Sequence, residues 1–342
     1  MWNDYGASAD ADRVKHGYDL QGSRTFREQT VDSSSNHDEF YSHDLIDRLK
    51  QMDRGTLSAQ KDGISSLNFA QCWSLDSTGN WGTFKQDDNG NATWDLEQSR
   101  TSNEANEITD ITEAIGASWI TPTYNRTGNM TTVPKPSDPT TGYTATYDAW
   151  NRLVRLEDGE DTVAEYRYDG AKRRIVKKTY DGGVLDETRH LYLSTPLTGR
   201  VLEERVNAST SPDHQFIWGS RHIDDLVLRD RDTSSPKNGT LDERLYAIQD
   251  ANWNVTSVAA TDGTIQERYA CEPYGTSRVL TPAFATRGTS SYDWETRFAG
   301  YRWDSESGFC AVRARTYSPL SSWLQRDPAG FVDGANLYEY VR

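Results

Sequence analysis

Short apolar and aromatic runs alternate with clusters of Asp, Asn and Gly along nearly the whole chain. One unit recurs: Tyr-Asp, two residues, Gly or Asn, then Arg. Its clearest copy is YDAWNRL at 147–153; HDLIDRL at 43–49, YDLQGSR at 18–24 and YDGAKR at 168–173 align with it, and LDSTGNW at 75–81 and YNRTGNM at 124–130 are weaker copies. In each, a strand ends on the aromatic residue, Asp, Asn and Gly supply turn chemistry and tolerate positive φ, and Arg with an apolar residue opens the return strand. Each unit therefore predicts a β-hairpin. A lone hairpin is marginal in water, so the units must pair edge to edge. Unrelated hairpins in a β-sandwich or a propeller would give similar local signals.

Read in order, the repeats are loose up to about residue 120 and tight from 143 to 228. Residues 99–120 read as a short helix or an irregular loop around the turn-like Asn103-Glu104-Ala105-Asn106. The Pro- and Thr-rich stretch 131–142 reads as an exposed loop. Residues 173–180 predict a strand that turns at Asp181-Gly182-Gly183 into a partner at 188–193. Residues 231–240 read as a polar loop, and Asp262-Gly263 is a two-residue turn signal. Three segments follow: degenerate repeats with loops over 1–142, regular repeats over 143–245, and a C-terminal core over 246–342.

Composition sharpens this picture. The 342 residues are only 35% hydrophobic, with a mean hydropathy of −0.82, low for a compact enzyme. Yet 11 Trp and 18 Tyr are more aromatics than a disordered chain carries, and suit extended sheet with cross-strand aromatic pairs. The net charge of −15 argues against nucleic acid as a partner. The densest basic clusters, Lys172-Arg173-Arg174 and Lys177-Lys178, read as alternating across one strand. Cys72, Cys271 and Cys310 are too few and too scattered for a disulfide framework or a metal site. No apolar run is long enough to span a membrane, and the N-terminus lacks the regions of a signal peptide. The localisation stays open among the cytoplasm, export without such a signal, and membership of a longer protein.

Residues 292–342 carry Phe298-Ala299-Gly300-Tyr301, Arg313-Ala314-Arg315-Thr316-Tyr317-Ser318-Pro319, Asp327-Pro328-Ala329-Gly330 and Asp333-Gly334-Ala335-Asn336-Leu337-Tyr338 in that order, as aromatic-rich strand candidates between turns. Together they resemble the RHS repeat-associated core of the Rhs/YD-repeat family. Upstream, residues 246–255 resemble the family's strand, "D-x-x-G-N/S-V" turn and strand, with Asn252-Trp253-Asn254 where Gly is usual. Residues 269–275 resemble its "Y-x-Y-x-P-[FY]-G". The resemblance implies an all-β chain whose repeated β-hairpins form a spiralling antiparallel sheet, part of a hollow Rhs-type shell. It implies a structural segment of a polymorphic toxin or cell-surface protein, secreted or at the cell surface, that encloses or displays a C-terminal segment. Its partners would be the rest of the shell or an encapsulated polypeptide. An older association of YD repeats with carbohydrate makes cell-surface glycan stacking on Trp and Tyr an alternative.

The resemblance also brings one chemistry. In toxin-associated members the core is an aspartyl autoprotease that releases a downstream peptide. Arg326 and Asp327 match its Arg-Asp pair by motif, and Glu339 falls by offset at the second acidic place, where the family usually has Asp. One carboxyl would stay protonated while the other activates water. As plain structure, Asp327-Pro328-Ala329-Gly330 is a type I turn signal. The family's following "N-x-P" and second "DPxG" do not occur in these 342 residues, so the core reads as C-terminally truncated and self-cleavage is not expected. The six His show no metal spacing and no cofactor is implied. The Asp-rich turn 87–91 reads as a solvated turn or a Ca²⁺ loop.

Overall fold

The computed structural model describes residues 10–32, 34, 36–195, 199–235, 237–320, 322–332 and 334–340, with the backbone of the strand Trp2–Asp4. Asp333, which opens the Asp-Gly-Ala-Asn motif, and most of residues 1–9 lie outside this description. The chain is almost entirely antiparallel strand and turn. Nine strands from Trp2–Asp4 to Ile108–Ile115 form one sheet, fifteen from Thr123–Tyr124 to Thr286–Arg287 a second, and Arg302–Asp304, Phe309–Val312, Arg315–Ser318 and Ser322–Trp323 a third. Each sheet is open and keeps strict chain order. The strands are thus successive hairpins pairing edge to edge, as the repeat chemistry dictates.

The turns share one geometry. The Asp148 amide bonds to the Arg152 carbonyl at 3.0 Å and the Asn151 amide to the Asp148 carbonyl at 3.0 Å. Asn151 has φ 60, and the register shifts at Tyr147. This is a type I turn closed by a left-handed residue that forms a bulge. The turns opening at Asp19, Asp44, Asp76, Asn103, Asn125, Asp169, Asp250, Ala260, Glu272 and Thr281 repeat it. At Asp262-Gly263 the loop is therefore one residue longer than the two-residue signal suggested. Asp181-Gly182-Gly183 does make a two-residue turn, with Asp181 opposite Val184 and both glycines at positive φ. Trp253 takes the left-handed position at φ 65, where the resemblance expects Gly. Its ring stacks on His222 at 4.6 Å, which compensates part of the backbone strain.

Three segments differ from expectation. Residues 99–120 hold neither helix nor irregular loop over most of their length. Instead the strands Leu96–Ser102 and Ile108–Ile115 pair across the Asn103 turn: Ile108, Ile111 and Ile115 are spaced three and four apart as on a helix, but the hairpin turn and the β-branched Ile and Thr residues override that spacing. Residues 131–142 are not a loop either: Met130–Lys135 pairs with Asp138–Tyr147, and Pro134 is accommodated beside a bulge. Phe298–Gly300 is a turn rather than strand, since Ala299 and Gly300 have φ 50 and 70, in the left-handed region.

By contacts the chain forms two units, Met1–Thr123 with Pro139–Thr141 and Ala329–Arg342, and Tyr124–Asp138 with Gly142–Pro328. The boundaries expected at 142/143 and 245/246 both fall inside strands, Asp138–Tyr147 and Glu243–Gln249. Hairpin pairing runs through both points without a break. In the first unit, Trp81, Phe84 and Trp119 surround the Arg100 guanidinium at 4.7, 5.8 and 5.4 Å. In the second, Val133, Leu153, Leu156 and Tyr166 pack on Phe309 and Leu324, and Val255, Val258 and Tyr269 pack on Trp294. The low hydropathy also has a structural origin, because charged residues such as Lys177, Glu204, Arg229 and Glu267 are buried beside these clusters.

Candidate functional site

The repeat unit is built as a staple. Asp148 Oδ1 accepts the amides of Trp150 and Arg152 at 2.9 and 3.1 Å, which fixes the turn. Its Oδ2 accepts Arg152 Nε at 2.7 Å. Arg152 then reaches forward, donating Nη1 to the Asp169 carbonyl of the next turn at 3.0 Å and lying over the Tyr168 ring at 5.1 Å. The tyrosines reach back: Tyr147 Oη donates to the Met130 carbonyl and Tyr168 Oη to the Leu153 carbonyl, at 2.7 and 2.8 Å. Asp169 with Arg173, and Asp44 with Arg48, repeat the carboxylate grip and the forward bond. Tyr, Asp and Arg each have a separate task in joining one hairpin to its neighbours.

The densest chemistry lies where the third sheet meets the second, inside the second unit. Arg174 grips Asp304 through Nη1 and Nη2 at 2.6 and 2.7 Å. Lys177 Nζ lies 3.2 Å from Glu295, 3.5 Å from Asp304 and 3.2 Å from Glu306. Arg302 donates to Glu204 and pairs with Glu295. Arg189 contacts Glu204 and Asp213 at 3.2 and 2.9 Å, with His214 Nδ1 3.1 Å from Asp213. Only 3% of the Lys177 side chain and none of Glu204 is exposed, so these are buried charges matched to one another.

The electrostatics follow from burial against pairing. Burial pushes the Glu295 carboxyl up, but Arg302 and Lys177 outweigh it and hold it at about 2. Asp304 is likewise raised by burial and lowered further by Arg174 and Lys177, and Glu204 is held well below the carboxylate range chiefly by Arg302. Glu306 differs: burial raises it by more than Lys177 lowers it. Burial also lowers His214, so its neutral ring is favoured. The network joins sheet to sheet.

The carboxyl site implied by resemblance is placed differently. Asp327 Oδ2 pairs with Arg315 Nη2 at 2.8 Å, and the Arg315 guanidinium lies 3.9 Å from the Trp323 ring centroid. Arg326 precedes it, and Pro328 and Ala329 form the turn, with Gly330 at φ 70. Glu339 belongs to the first unit, whereas Arg326 and Asp327 belong to the second. The Glu339 carboxylate lies against Gly79, so close that a Cβ there would sit 2.1 Å from Oε1. The neighbours of Glu339 dock on the same turns. Asn336 Nδ2 donates to the Thr78 carbonyl and to Asn80 Oδ1, Asn106 Nδ2 donates to the Ala335 carbonyl, and Tyr338 Oη donates to Glu107.

Other candidates are quickly placed. Trp73, Trp81, Trp294 and Trp323 are buried and offer no face for stacking, while Trp150 is 65% exposed and lies on Arg152 at 5.2 Å. In the turn 87–91, Asp87 accepts the amides of Asn89, Gly90 and Ala92, which occupies its carboxylate with backbone. Cys72, Cys271 and Cys310 form no disulfide.

No family model matches the chain. It is 28% identical over 217 residues to the tRNA3(Ser)-specific nuclease WapA of Bacillus spizizenii, covering 63% of this chain and 8% of that protein. It is 26% identical over 221 residues to the probable deoxyribonuclease RhsB of Dickeya dadantii, covering 57% and 14%. With the toxin subunit YenC2 of Yersinia entomophaga it shares 29% over 204 residues, covering 56% and 19%. The crystal structures of TcdB2-TccC3-Cdc42 and TcdB2-TccC3 superpose on 96% of the chain with TM-scores of 0.68 and 0.67, at 16% identity and 16% and 17% of those chains. Over more than half its length the chain is thus similar to Rhs- and WapA-type toxin proteins.

It spans less than a fifth of each of these relatives. The staple residues are legible in the sequence as Tyr-Asp…Arg, whereas the buried network is not. Lys177 and Lys178 alternate as expected, with Lys178 paired to Glu165 at the surface, but Arg174 and Lys177 turn inward. Three apart on a regular strand, Arg174 and Lys177 would face opposite ways; the register shift beside Arg174 lets both reach Asp304, so no spacing in the sequence pointed to the pair.

Proposed function

We propose that this chain is a structural segment of a toxin shell, whose wall encloses or displays another stretch of polypeptide. The observation that carries the reading is the open fifteen-stranded sheet. It grows one strand at a time in chain order, and it belongs to a fold shared over nearly the whole chain with TcdB2-TccC3. Open sheets suit a wall, because each added hairpin extends the surface by a fixed unit. The test is to purify the product from its native source, map it by mass spectrometry, and digest it under native conditions. The expected result is protein sequence beyond this chain that resists protease until the wall is denatured. Native material consisting of this chain alone, as a free monomer, overturns the reading.

A second reading is self-cleavage centred on Asp327, supported by the adjacent Arg326 and by a carboxylate that stays 22% exposed beside Arg315. Its mark is a new C-terminus that forms in the native protein and fails to form in Asp327→Asn. An identical C-terminus in both removes it.

A further inference from the structure

A cavity of about 220 Å³ lies inside the second unit, where the second sheet faces the turns at 299–301 and 313–314. Its floor is apolar: Leu191 and Val312 are buried, and Val201 and Phe216 half-buried. Its mouth is cationic. Six cations line it, and four are matched by carboxylates: Arg173 by Asp169, Arg174 by Asp304, Arg302 by Glu204, and Arg313 by Asp224. Two are not. Among the described residues Lys172 has no ion-pair partner, and the Arg200 guanidinium donates only to the backbone carbonyls of His222 and Ile223, at 2.5 and 2.9 Å. Lys172 stands exposed on a tight turn and Arg200 is half-buried, so both charges border an apolar hollow.

We propose that this cavity is a binding site for a small amphipathic carboxylate, an aromatic or short acyl body with one anionic head. The size fits, since an apolar cavity of roughly 150 Å³ accepts benzene and this one leaves room for a ring with a short chain. The body removes apolar surface from water against Leu191, Phe216 and Val312. The head meets Lys172 and Arg200, neither of which is engaged in an ion pair among the described residues, and a hydrogen bond to an ionised group is the stronger kind. A neutral ligand of the same shape gains only the first contribution. The site is separate from the wall reading, which stands or falls independently of it.

The test is calorimetric titration of the full chain with phenylbutyrate, and with phenylbutanol as the neutral counterpart. The expected result is saturable one-to-one binding of the acid, roughly tenfold tighter than the alcohol and weakened by salt. Val201→Trp fills the floor and abolishes binding, with its circular dichroism spectrum unchanged. Lys172→Glu, on an exposed turn, weakens the acid and leaves the alcohol unaffected; it decides the matter even if Val201→Trp fails to fold. Absence of saturation, equal affinity for acid and alcohol, or undiminished affinity for the acid in Lys172→Glu overturns the proposal.

Discussion

Arg174 and Asp304, 130 residues apart in the chain, meet through two parallel hydrogen bonds of 2.6 and 2.7 Å with almost no exposure of Asp304. Removing one member of such a pair strands the other in a dry interior. Asp304→Ala is therefore expected to destabilise the second unit by about 3–5 kcal/mol. The double change Arg174→Met, Asp304→Leu is expected to recover most of that, because two apolar groups leave no charge unpaired. Denaturation midpoints of the single and double variants check both statements.

The same network sets a pH dependence. Glu295, Asp304 and Glu204 titrate below their ordinary range in the folded protein, so their contribution is present at neutral pH and lost as pH falls from the ordinary 4.5 of a glutamate towards the folded value, about 2 for Glu295. His214, lowered from 6.5, also costs stability as pH falls, since the unfolded ring takes a proton more readily. Glu306 acts in the opposite sense: its raised carboxyl favours folding at low pH and the advantage fades as pH rises. The expected melting curve declines gently below about pH 6.5 and steeply below about pH 4.5. Glu306→Gln should raise stability near neutrality, and thermal melts from pH 3 to 8 read each arm.

The repeat staple gives a third expectation. Arg152 joins its own turn to the next through a carboxylate, a carbonyl and an aromatic face. Lysine carries the charge but not the planar fork, so Arg152→Lys is expected to cost nearly as much as Arg152→Ala, about 1–2 kcal/mol at this partly exposed site. Urea denaturation of both variants tests this; a fully tolerated lysine shows that charge alone suffices.

Gly79 offers a fourth. Its φ of 85 is strained for any side chain, and a Cβ there would push the Glu339 carboxylate aside. Gly79→Ala should cost about 1–2 kcal/mol in backbone strain and release residues 335–339 from the turns at 76–80 and 103–107. Limited proteolysis should then cut this segment sooner. Glu339→Ala in the Gly79→Ala background should restore part of the protection, as expected of a residue whose task here is docking.

Much of the fold was legible because the turn code is local. Asp at the first turn position and Asn or Gly at the left-handed one announce each hairpin, and chain-order pairing follows from the lack of any other partner. Misreadings arose where local rules conflict. Pro134 signals a break but sits beside a bulge, and the stretch around Ile108, Ile111 and Ile115 has helix-like apolar spacing yet follows a hairpin turn that commits it to strand. Trp253 occupies a Gly position, held there by the stacked His222 and the Arg221 guanidinium over its ring. The buried network was illegible because its members lie up to 130 residues apart and become neighbours only when the third sheet settles on the second. The carboxyls were found by motif, but their placement depends on which unit receives the last residues.

The strict chain order of the two large sheets bears on how the molecule comes into being. Every strand there finds its hydrogen-bonding partner in the stretch just made, so the entropy of closing each loop stays small and assembly can keep pace with synthesis. The expensive closures come later: Glu295, Arg302 and Asp304 reach back across some hundred residues, and Asn336 across 256. Until residues 295–304 emerge from the ribosome, Arg174, Lys177 and Glu204 wait on the second sheet with their charges uncompensated.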